Sequence, residues 1–198
     1  MEFTRISDTE ISTEARIIDQ AKRDPAHFEV LYRRYQPDIY RYVFHKVRDQ
    51  ELASDITSRV FVKALSKLSK YKHQGVPFSA WLFRIAINEV NQHFRKTKQT
   101  RYLTIEESGL EQLSDTLEDS MDRERMLEAL KEVLQGMSEA EVLLIDLRFF
   151  EGKPFQEIGD ILEITEANAK ARTYRLLKRM RVQMEAYMQD ERKIGNHS

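Results

Sequence analysis

Apolar side chains recur at helical spacing along most of the chain. The i, i+3, i+4, i+7 spacing of an amphipathic helix is first seen at Phe28, Leu31, Tyr32 and Tyr35. Pro37 has a fixed φ and no backbone N–H, which predicts a helix break at that residue. Similar stripes predict three further helices, at Tyr40, Val43, Phe44 and Val47, at Phe61, Ala64, Leu65 and Leu68, and at Phe83, Ile87, Val90 and Phe94.

The composition changes after this first group of helices. Residues 98–121 are polar, acidic and weakly periodic, which favours a flexible linker. A second group of apolar stripes follows, and no convincing β alternation occurs in either group. The chain is therefore predicted to be all-α, with two small helical domains at 10–97 and 122–186, an acidic linker at 98–121 between them, and a tail at 187–198.

A helix-start signal lies in the second domain, in the sequence Ser138-Glu139-Ala140-Glu141. Ser138 and Glu141 have the spacing of a capping box, in which each side chain satisfies the other residue's free backbone N–H. The stripe predicted to be buried in this helix consists of Ala140, Leu143, Leu144 and Leu147. The sequence Gly152-Lys153-Pro154 then ends this helix and starts the next.

Two helical patterns lie close together between Pro154 and Arg181. The first is short and turns Phe155, Ile158, Ile161 and Leu162 inward. Ile164 lies in the turn, and Thr165 is a good N-cap for the second, longer helix. The side chains that this second helix is predicted to bury are Ala169, Thr173, Leu176, Leu177 and Met180. A short helix, a tight turn and a longer basic helix are typical of a DNA-binding helix-turn-helix, although a solvated helical hairpin has a similar pattern.

The outer side of the second helix carries side chains suited to DNA. Small residues at its start leave room for a major groove, and its free N–H groups favour a phosphate. Arg and Lys can bind phosphates or guanine edges, and Asn168 can read adenine. Glu166 interacts favourably with the helix dipole or accepts a hydrogen bond from cytosine. Glu163 occupies a turn position that often carries Gly. The predicted DNA-binding residues are Thr165, Glu166, Asn168, Lys170, Arg172, Arg175, Lys178 and Arg179.

Charge is segregated along the chain although the net charge is −1. Residues 20–102 carry 17 Lys and Arg against 7 Asp and Glu, whereas residues 103–124 carry 8 acids and one Arg. Residues 165–181 carry 6 Lys and Arg against one Glu. Two basic segments joined by an acidic one indicate surfaces that face a polyanion, although ordinary solvated helix faces would give the same counts.

Aromatic and basic residues are interleaved in the sequence YKHQGVPFSAWLFRIAINEVNQHFRK. Aromatic rings stack on unpaired bases and cations follow the strand, so this mixture suits single-stranded nucleic acid. Phe78, Phe83 and Phe94 fit a hydrophobic core equally well, and Trp81 fits either role. Lys72, His73 and Gln74 lie in a loop flanked by Gly and Pro, where a core role does not account for them.

The composition excludes several classes of protein. There is no Cys, so disulfides and thiolate metal sites are excluded. No run of eighteen apolar residues predicts a transmembrane helix, and the N-terminus lacks the pattern of a secretory signal. HExxH and Walker A motifs are absent, and the five His show no ligand spacing. The chain is expected to be a cytoplasmic protein that is not an enzyme, inserts into no membrane and uses no metal or cofactor.

Three segments together resemble a bacterial sigma-70 family factor of the extracytoplasmic-function type, which has only regions 2 and 4. They are FEVLYRRYQPDIYRYVFHKVRDQELASDITSRVFVKAL, then FSAWLFRIAINEVNQHFRK, then MSEAEVLLIDLRFFEGKPFQEIGDILEITEANAKARTYRLLKRMR. The resemblance covers residues 12–97 and 122–186. It implies a protein that binds core RNA polymerase and directs it to promoters, reading a −35 element with region 4 and melting a −10 element with region 2.

The resemblance also implies sites and partners. The segment ASDITSRVFVKAL matches the part that holds the clamp helices of the largest polymerase subunit, and this implies polymerase contacts at Asp55, Thr57, Phe61 and Lys63. The −10 loop and its surroundings are implied to be Lys70, Lys72, His73, Gln74, Trp81, Arg84, Asn88 and Arg95. The flap of the second-largest subunit, promoter DNA and an anti-sigma factor are the other implied partners.

The chain departs from the family pattern at two places. Ser58 and Arg59 stand where the family usually has Gln and an acid, and Glu163 replaces the turn Gly. Two rival functions are a free-standing helix-turn-helix regulator and an enzyme acting on nucleic acid. A ligand-sensing regulator requires a polar pocket and an enzyme requires a catalytic cluster, and the sequence offers neither clearly.

Overall fold

The computed structural model describes residues 8–73, 75–97 and 123–195. These residues are mostly helical and contain no β-strand. They form two compact units, one made mainly of residues up to 97 and the other mainly of residues from 123 onward. No helix within these ranges is long and apolar enough to cross a membrane. The prediction of two helical domains is confirmed, and the predicted linker at 98–121 lies outside the described residues.

Within the described residues, four α-helices make up most of the N-terminal unit, and α2 packs on both α3 and α4. They are α1 (Asp8–Arg23), α2 (Phe28–Val47), α3 (Gln50–Lys67) and α4 (Phe78–Thr97). The core side chains are almost fully enclosed and include Ile18, Leu31, Ile39, Ile56, Leu82 and Phe83. Burial of this apolar surface is the main favourable contribution to folding of the unit.

The predicted break at Pro37 is wrong, because α2 runs through it from Phe28 to Val47. Pro37 is exposed, so water can hydrate the carbonyl that loses its N–H partner. Leu31, Tyr35 and Ile39 form one buried stripe that continues across the proline. Packing of this continuous stripe therefore outweighs the lost hydrogen bond.

The turn between α2 and α3 is set by local chemistry. Arg48 adopts a left-handed conformation with φ 54° and ends α2. The side chain of Asp49 then accepts a hydrogen bond of 2.9 Å from the backbone N–H of Leu52, which is an N-cap for α3. Because α2 ends at Arg48 and the N-cap of α3 is the next residue, α3 can fold back directly onto α2.

The described residues of the C-terminal unit form four α-helices and one wider, π-helical turn. They are α5 (Arg123–Gln135), α6 (Glu139–Ile145), a π-helical turn (Asp146–Phe150), α7 (Phe155–Leu162) and α8 (Glu166–Gly195). Helix α8 packs mainly on α5, with a core that includes Met126, Leu130, Leu134, Leu177, Met180 and Met184. Residues 187–195, which the sequence assigned to a tail, continue α8 as helix.

The start of α6 follows the predicted capping box. The Glu141 carboxylate accepts hydrogen bonds from the backbone N–H of Ser138 at 3.0 Å and from its hydroxyl at 2.8 Å. These hydrogen bonds lower the pKa of Glu141 below its ordinary value, because they favour the charged carboxylate. The capping box is therefore confirmed.

The predicted stripe of α6 is only partly correct. Leu144 and Leu147 are buried as expected, but Ala140 is exposed and Leu143 is half-buried. Ile145 is also buried, and the π-helical turn that follows it changes the period of the helix. A wider turn shifts the buried face relative to a regular 3.6-residue repeat, which accounts for the error.

Candidate nucleic-acid interface

The turn between α7 and α8 has the predicted local chemistry. The backbone N–H of Asn168 donates to the Thr165 hydroxyl oxygen at 3.2 Å, which confirms Thr165 as the N-cap of α8. Glu163 lies in the left-handed region with φ 57°. A side chain in this region is strained by about 1–2 kcal/mol, so the turn carries the strain expected where Gly is replaced.

Helix α8 has a buried face and an exposed face, as the spacing predicts. The predicted inner residues are all buried: Ala169, Thr173, Leu176, Leu177 and Met180. The Thr173 hydroxyl donates to the Ala169 carbonyl at 2.9 Å, which satisfies this polar group inside the core. Of the predicted DNA-binding side chains on α8, Asn168 is half-buried, and the exposed ones are Glu166, Lys170, Arg172, Arg175, Lys178 and Arg179.

Asn168 and Arg172 are joined one turn apart on α8. The Nε of Arg172 donates to the Oδ1 of Asn168 at 3.0 Å. This contact uses one of the two lone pairs of the amide oxygen, while the NH₂ group keeps its donors. Arg172 therefore holds Asn168 in one orientation, which sequence reasoning about separate base readers did not include.

Arg179 differs from the other predicted DNA-binding cations. Its Nη2 donates to the Glu141 Oε1 at 2.6 Å, so it links α8 to the start of α6. The same Glu141 carboxylate caps α6. Arg179 is therefore engaged within the unit, whereas Lys170, Arg175 and Lys178 extend from the exposed face.

Tyr174 is a residue of this face that sequence reasoning missed. Its side chain is 55% exposed, and its ring lies 6.1 Å from that of Phe155 on α7. The Nζ of Lys170 lies 6.0 Å above the Tyr174 ring, within reach of a cation–π contact. The sequence did contain a signal for this residue, because Tyr174 lies one helical turn after Lys170 and one turn before Lys178.

In the N-terminal unit, three aromatic rings surround the candidate −10 loop. The ring of Tyr71 lies 4.6 Å from that of Trp81 and 5.3 Å from that of Phe78. Trp81 is half-buried, while Lys72 at the start of the loop is exposed. Phe78 is a core residue, as the alternative interpretation of the sequence allowed, and Tyr71 is also buried, whereas Trp81 keeps a partly exposed ring beside the loop.

The other residues of this candidate site are distributed around the loop and along α4. Lys70 is exposed and His73 is half-buried, while Gln74 lies outside the described residues. Arg84 is half-buried on α4, one turn before Asn88. Asn88 and Arg95 line a shallow groove of about 230 Å³ with residues of α3, so they are separate from the aromatic cluster.

The predicted polymerase-binding residues on α3 point in different directions. Asp55 is exposed, but Thr57 and Phe61 are 3% and 4% exposed and belong to the core. The Phe61 ring lies 4.8 Å from that of Tyr32 on α2. The side chains of Thr57 and Phe61 thus fix the position of α3 and offer little surface to a partner.

Lys63 and Arg59 share an acidic partner that sequence reasoning missed. The Nζ of Lys63 lies 2.5 Å from the Oε1 of Glu89 on α4, and the Nε of Arg59 lies 3.9 Å from its Oε2. Glu89 is only 7% exposed, so the two cations compensate a nearly buried charge. The unusual Arg59 therefore lies beside a carboxylate within its own domain.

Comparison with known proteins decides the family. Residues 31–100 match Sigma-70 region 2, and residues 127–180 match Sigma-70 region 4. The chain is 31% identical to the RNA polymerase sigma factor SigV of Bacillus subtilis over 150 residues, which cover 76% of this chain and 86% of that one. The chain belongs to the sigma-70 family. This sigma factor is of the extracytoplasmic-function (ECF) type, as the names of several relatives indicate.

One further relative and one solved structure are similar to this sigma factor. It is 26% identical to the ECF RNA polymerase sigma factor BldN of Streptomyces coelicolor over 174 residues, covering 87% of this chain and 66% of that one. The solved structure of CnrH in complex with the cytosolic domain of CnrY matches with a TM-score of 0.54 and 20% identity. That match covers 88% of this chain and 96% of CnrH, and it supports the fold.

Proposed function

We propose that this sigma factor binds core RNA polymerase and directs it to promoters through two DNA-reading surfaces. The observation that carries the proposal is the exposed face of α8, where Lys170, Arg172 and Arg175 stand opposite a fully buried face. A slim, basic recognition helix after a tight turn fits the major groove of duplex DNA. Helix α8 is accordingly the reader of the −35 element.

The second surface is the loop before α4. Lys72 supplies a cation, and Trp81 supplies an aromatic face beside Tyr71. Stacking of an unpaired base on an aromatic ring is worth about 1–3 kcal/mol, which offsets the cost of unstacking a base step in the −10 element. The loop thus captures the melted strand, while Asn88 and Arg95 contact its backbone from α4.

The polymerase contact lies on the exposed side of α3, with Asp55 as the predicted residue that is free to reach a partner surface. Tethering both DNA surfaces to polymerase raises their effective concentration at the promoter, so each surface alone needs only weak affinity. The flap of the second-largest subunit and an anti-sigma factor stay predictions from the family resemblance. The protein acts in the bacterial cytoplasm as an initiation factor without catalytic chemistry of its own.

Run-off transcription with purified core polymerase and a library of genomic promoters tests the proposal. The expected result is a set of transcripts whose upstream regions share a two-block motif. A free-standing helix-turn-helix regulator would instead bind DNA without polymerase and would give no polymerase complex. Failure to bind core polymerase would therefore exclude the proposed function.

Arg175→Ala is expected to weaken promoter binding by the holoenzyme by about 1–3 kcal/mol, because one base or phosphate contact is lost. Arg172→Ala is expected to cost at least as much, since it also releases the Asn168 side chain. The measurement is holoenzyme binding to a promoter fragment that carries the −35 element, alongside the affinity for core polymerase.

Arg33→Ala is the control, since Arg33 is an exposed arginine on α2 that lies outside the predicted DNA-binding and polymerase-binding residues. It should leave promoter binding unchanged. Loss of polymerase affinity in the Arg172→Ala or Arg175→Ala variant would contradict the assignment of α8 to DNA.

A further inference from the structure

A buried carboxylate on α1 reaches the start of α4. Glu14 is 2% exposed, and its Oε2 accepts a hydrogen bond of 2.6 Å from the backbone N–H of Phe78. Its Oε1 accepts from the Tyr35 hydroxyl on α2. A buried charge is costly unless hydrogen-bonded, so these two contacts fix the side chain between three helices.

Glu14 acts as an N-cap supplied from a distant part of the chain. Phe78 is the first residue of α4, and its N–H is one of those that a helix leaves without an internal partner. A carboxylate at this position satisfies the N–H and interacts favourably with the helix dipole. The residue where α4 begins is therefore set partly by a side chain 64 positions earlier.

The candidate −10 loop lies between two points that depend on this carboxylate. Phe78 follows the loop, and Tyr71 precedes it with its ring 5.3 Å from that of Phe78. Burial, with a smaller effect of the negative charge of Glu14, raises the pKa of Tyr71 to about 12. Glu14 thus holds Phe78 directly at one end of the loop, and the ring contact with Phe78 links Tyr71 at the other end.

The exposed part of the described loop includes Lys72 and Gly75. Gly75 adopts φ +74°, and a Cβ at that position would meet no atom within 4 Å. Tyr71 before these residues and Pro77 after them are buried, so the loop is anchored on both sides. Glu14 lies before residues 31–100, which match Sigma-70 region 2, so that match assigns it no role.

We propose that Glu14 is a positioning residue for capture of the melted −10 strand. By fixing Phe78 and the neighbouring Tyr71, it sets where the loop begins and ends relative to the Trp81 ring. The inference rests on the proposed function of this loop. It predicts that loss of the hydrogen-bond acceptor at position 14 impairs single-strand capture, while polymerase binding and −35 binding are kept.

The test uses the full-length chain assembled with core polymerase. Three quantities are measured: affinity for core polymerase, binding to a duplex −35 fragment, and capture of a single-stranded −10 oligonucleotide. Glu14→Ala is expected to weaken −10 capture about tenfold and to change the other two by less than about twofold, as for loss of one charge-assisted hydrogen bond. Glu14→Gln keeps an acceptor for the Phe78 N–H and should restore capture.

Two outcomes overturn the inference: unchanged −10 capture in Glu14→Ala, or equal losses in all three measurements without rescue by Gln. If the Ala variant does not fold, Glu14→Asp decides, because its carboxylate is one methylene too short to reach the same N–H. Reduced capture by the Asp variant supports the inference, and unchanged capture overturns it.

Lys72→Ala separates this inference from the proposed function. If Lys72→Ala weakens −10 capture while the Glu14 variants do not, the loop reads DNA and only the role of Glu14 is wrong. If neither Lys72→Ala nor Trp81→Ala affects capture, the loop is not the −10 surface, and the proposed function of the N-terminal unit fails with it.

Discussion

Replacing Phe78 with Ala is expected to lower the free energy of unfolding of the N-terminal unit by about 3–5 kcal/mol, the usual cost of deleting a buried Phe ring. Phe78 is 0% exposed, and its ring lies 5.2 Å from that of Trp81 and 6.1 Å from that of Tyr35. A cavity at this point would loosen the contacts of α4 with α2 and with the ring of Tyr71.

Urea unfolding followed by intrinsic fluorescence measures this change directly. The chain has a single Trp, and Trp81 touches the Phe78 ring, so its emission reports on the N-terminal unit. Phe94→Ala is the control on the same helix, because Phe94 is half-buried and should cost less than about 2 kcal/mol. Equal losses in both variants would contradict a central role for Phe78.

Replacing Trp81 with Ala is expected to raise the free-energy barrier to promoter opening by about 1–3 kcal/mol, because one stacked base loses its aromatic partner. The rate of opening would fall roughly fivefold to 150-fold. Trp81→Phe keeps an aromatic face and should retain most of the activity. The measurement is the rate of open-complex formation, read from the fluorescence of a base analogue in the −10 element, with −35 binding measured in parallel.

The same pair of variants decides between the two roles that the sequence allowed for Trp81. If Trp81→Ala lowers the unfolding free energy by as much as it impairs opening, Trp81 is a core anchor only. If opening falls while the unfolding free energy and −35 binding change little, the ring acts on the melted strand. Its half-buried position, with neighbours at 4.6 and 5.2 Å, is compatible with stacking on its open side.

Local signals in the sequence predicted local structure well. The Thr165 N-cap, the capping box at Ser138 and the buried stripe of α8 all depend on residues within one or two turns, and all three are confirmed. The break predicted at Pro37 was also a local inference, but there the continuous packing of α2 outweighed the lost hydrogen bond.

Contacts between residues that are far apart in the chain could not be predicted from the sequence. Glu14 and Phe78 are 64 residues apart, and Arg179 and Glu141 are 38 apart. Charged residues at such separations look like solvated surface until the fold brings their partners together. Arg59 appeared to reverse a charge on α3, and the nearby carboxylate of Glu89 is visible only once α4 packs on that helix.

A single helix, α8, carries both the proposed −35 reading face and much of the core of its unit. The helix runs unbroken for 30 residues, and Met180 and Met184 are enclosed in the core of the unit. At 1.5 Å per residue, Arg172 lies about 18 Å along the axis from Met184, so a change in packing that tilts α8 by about 5° about Met184 moves the reading face by about 1.5 Å. Substitutions in the α5–α8 core can therefore alter promoter selectivity without touching any residue that faces DNA.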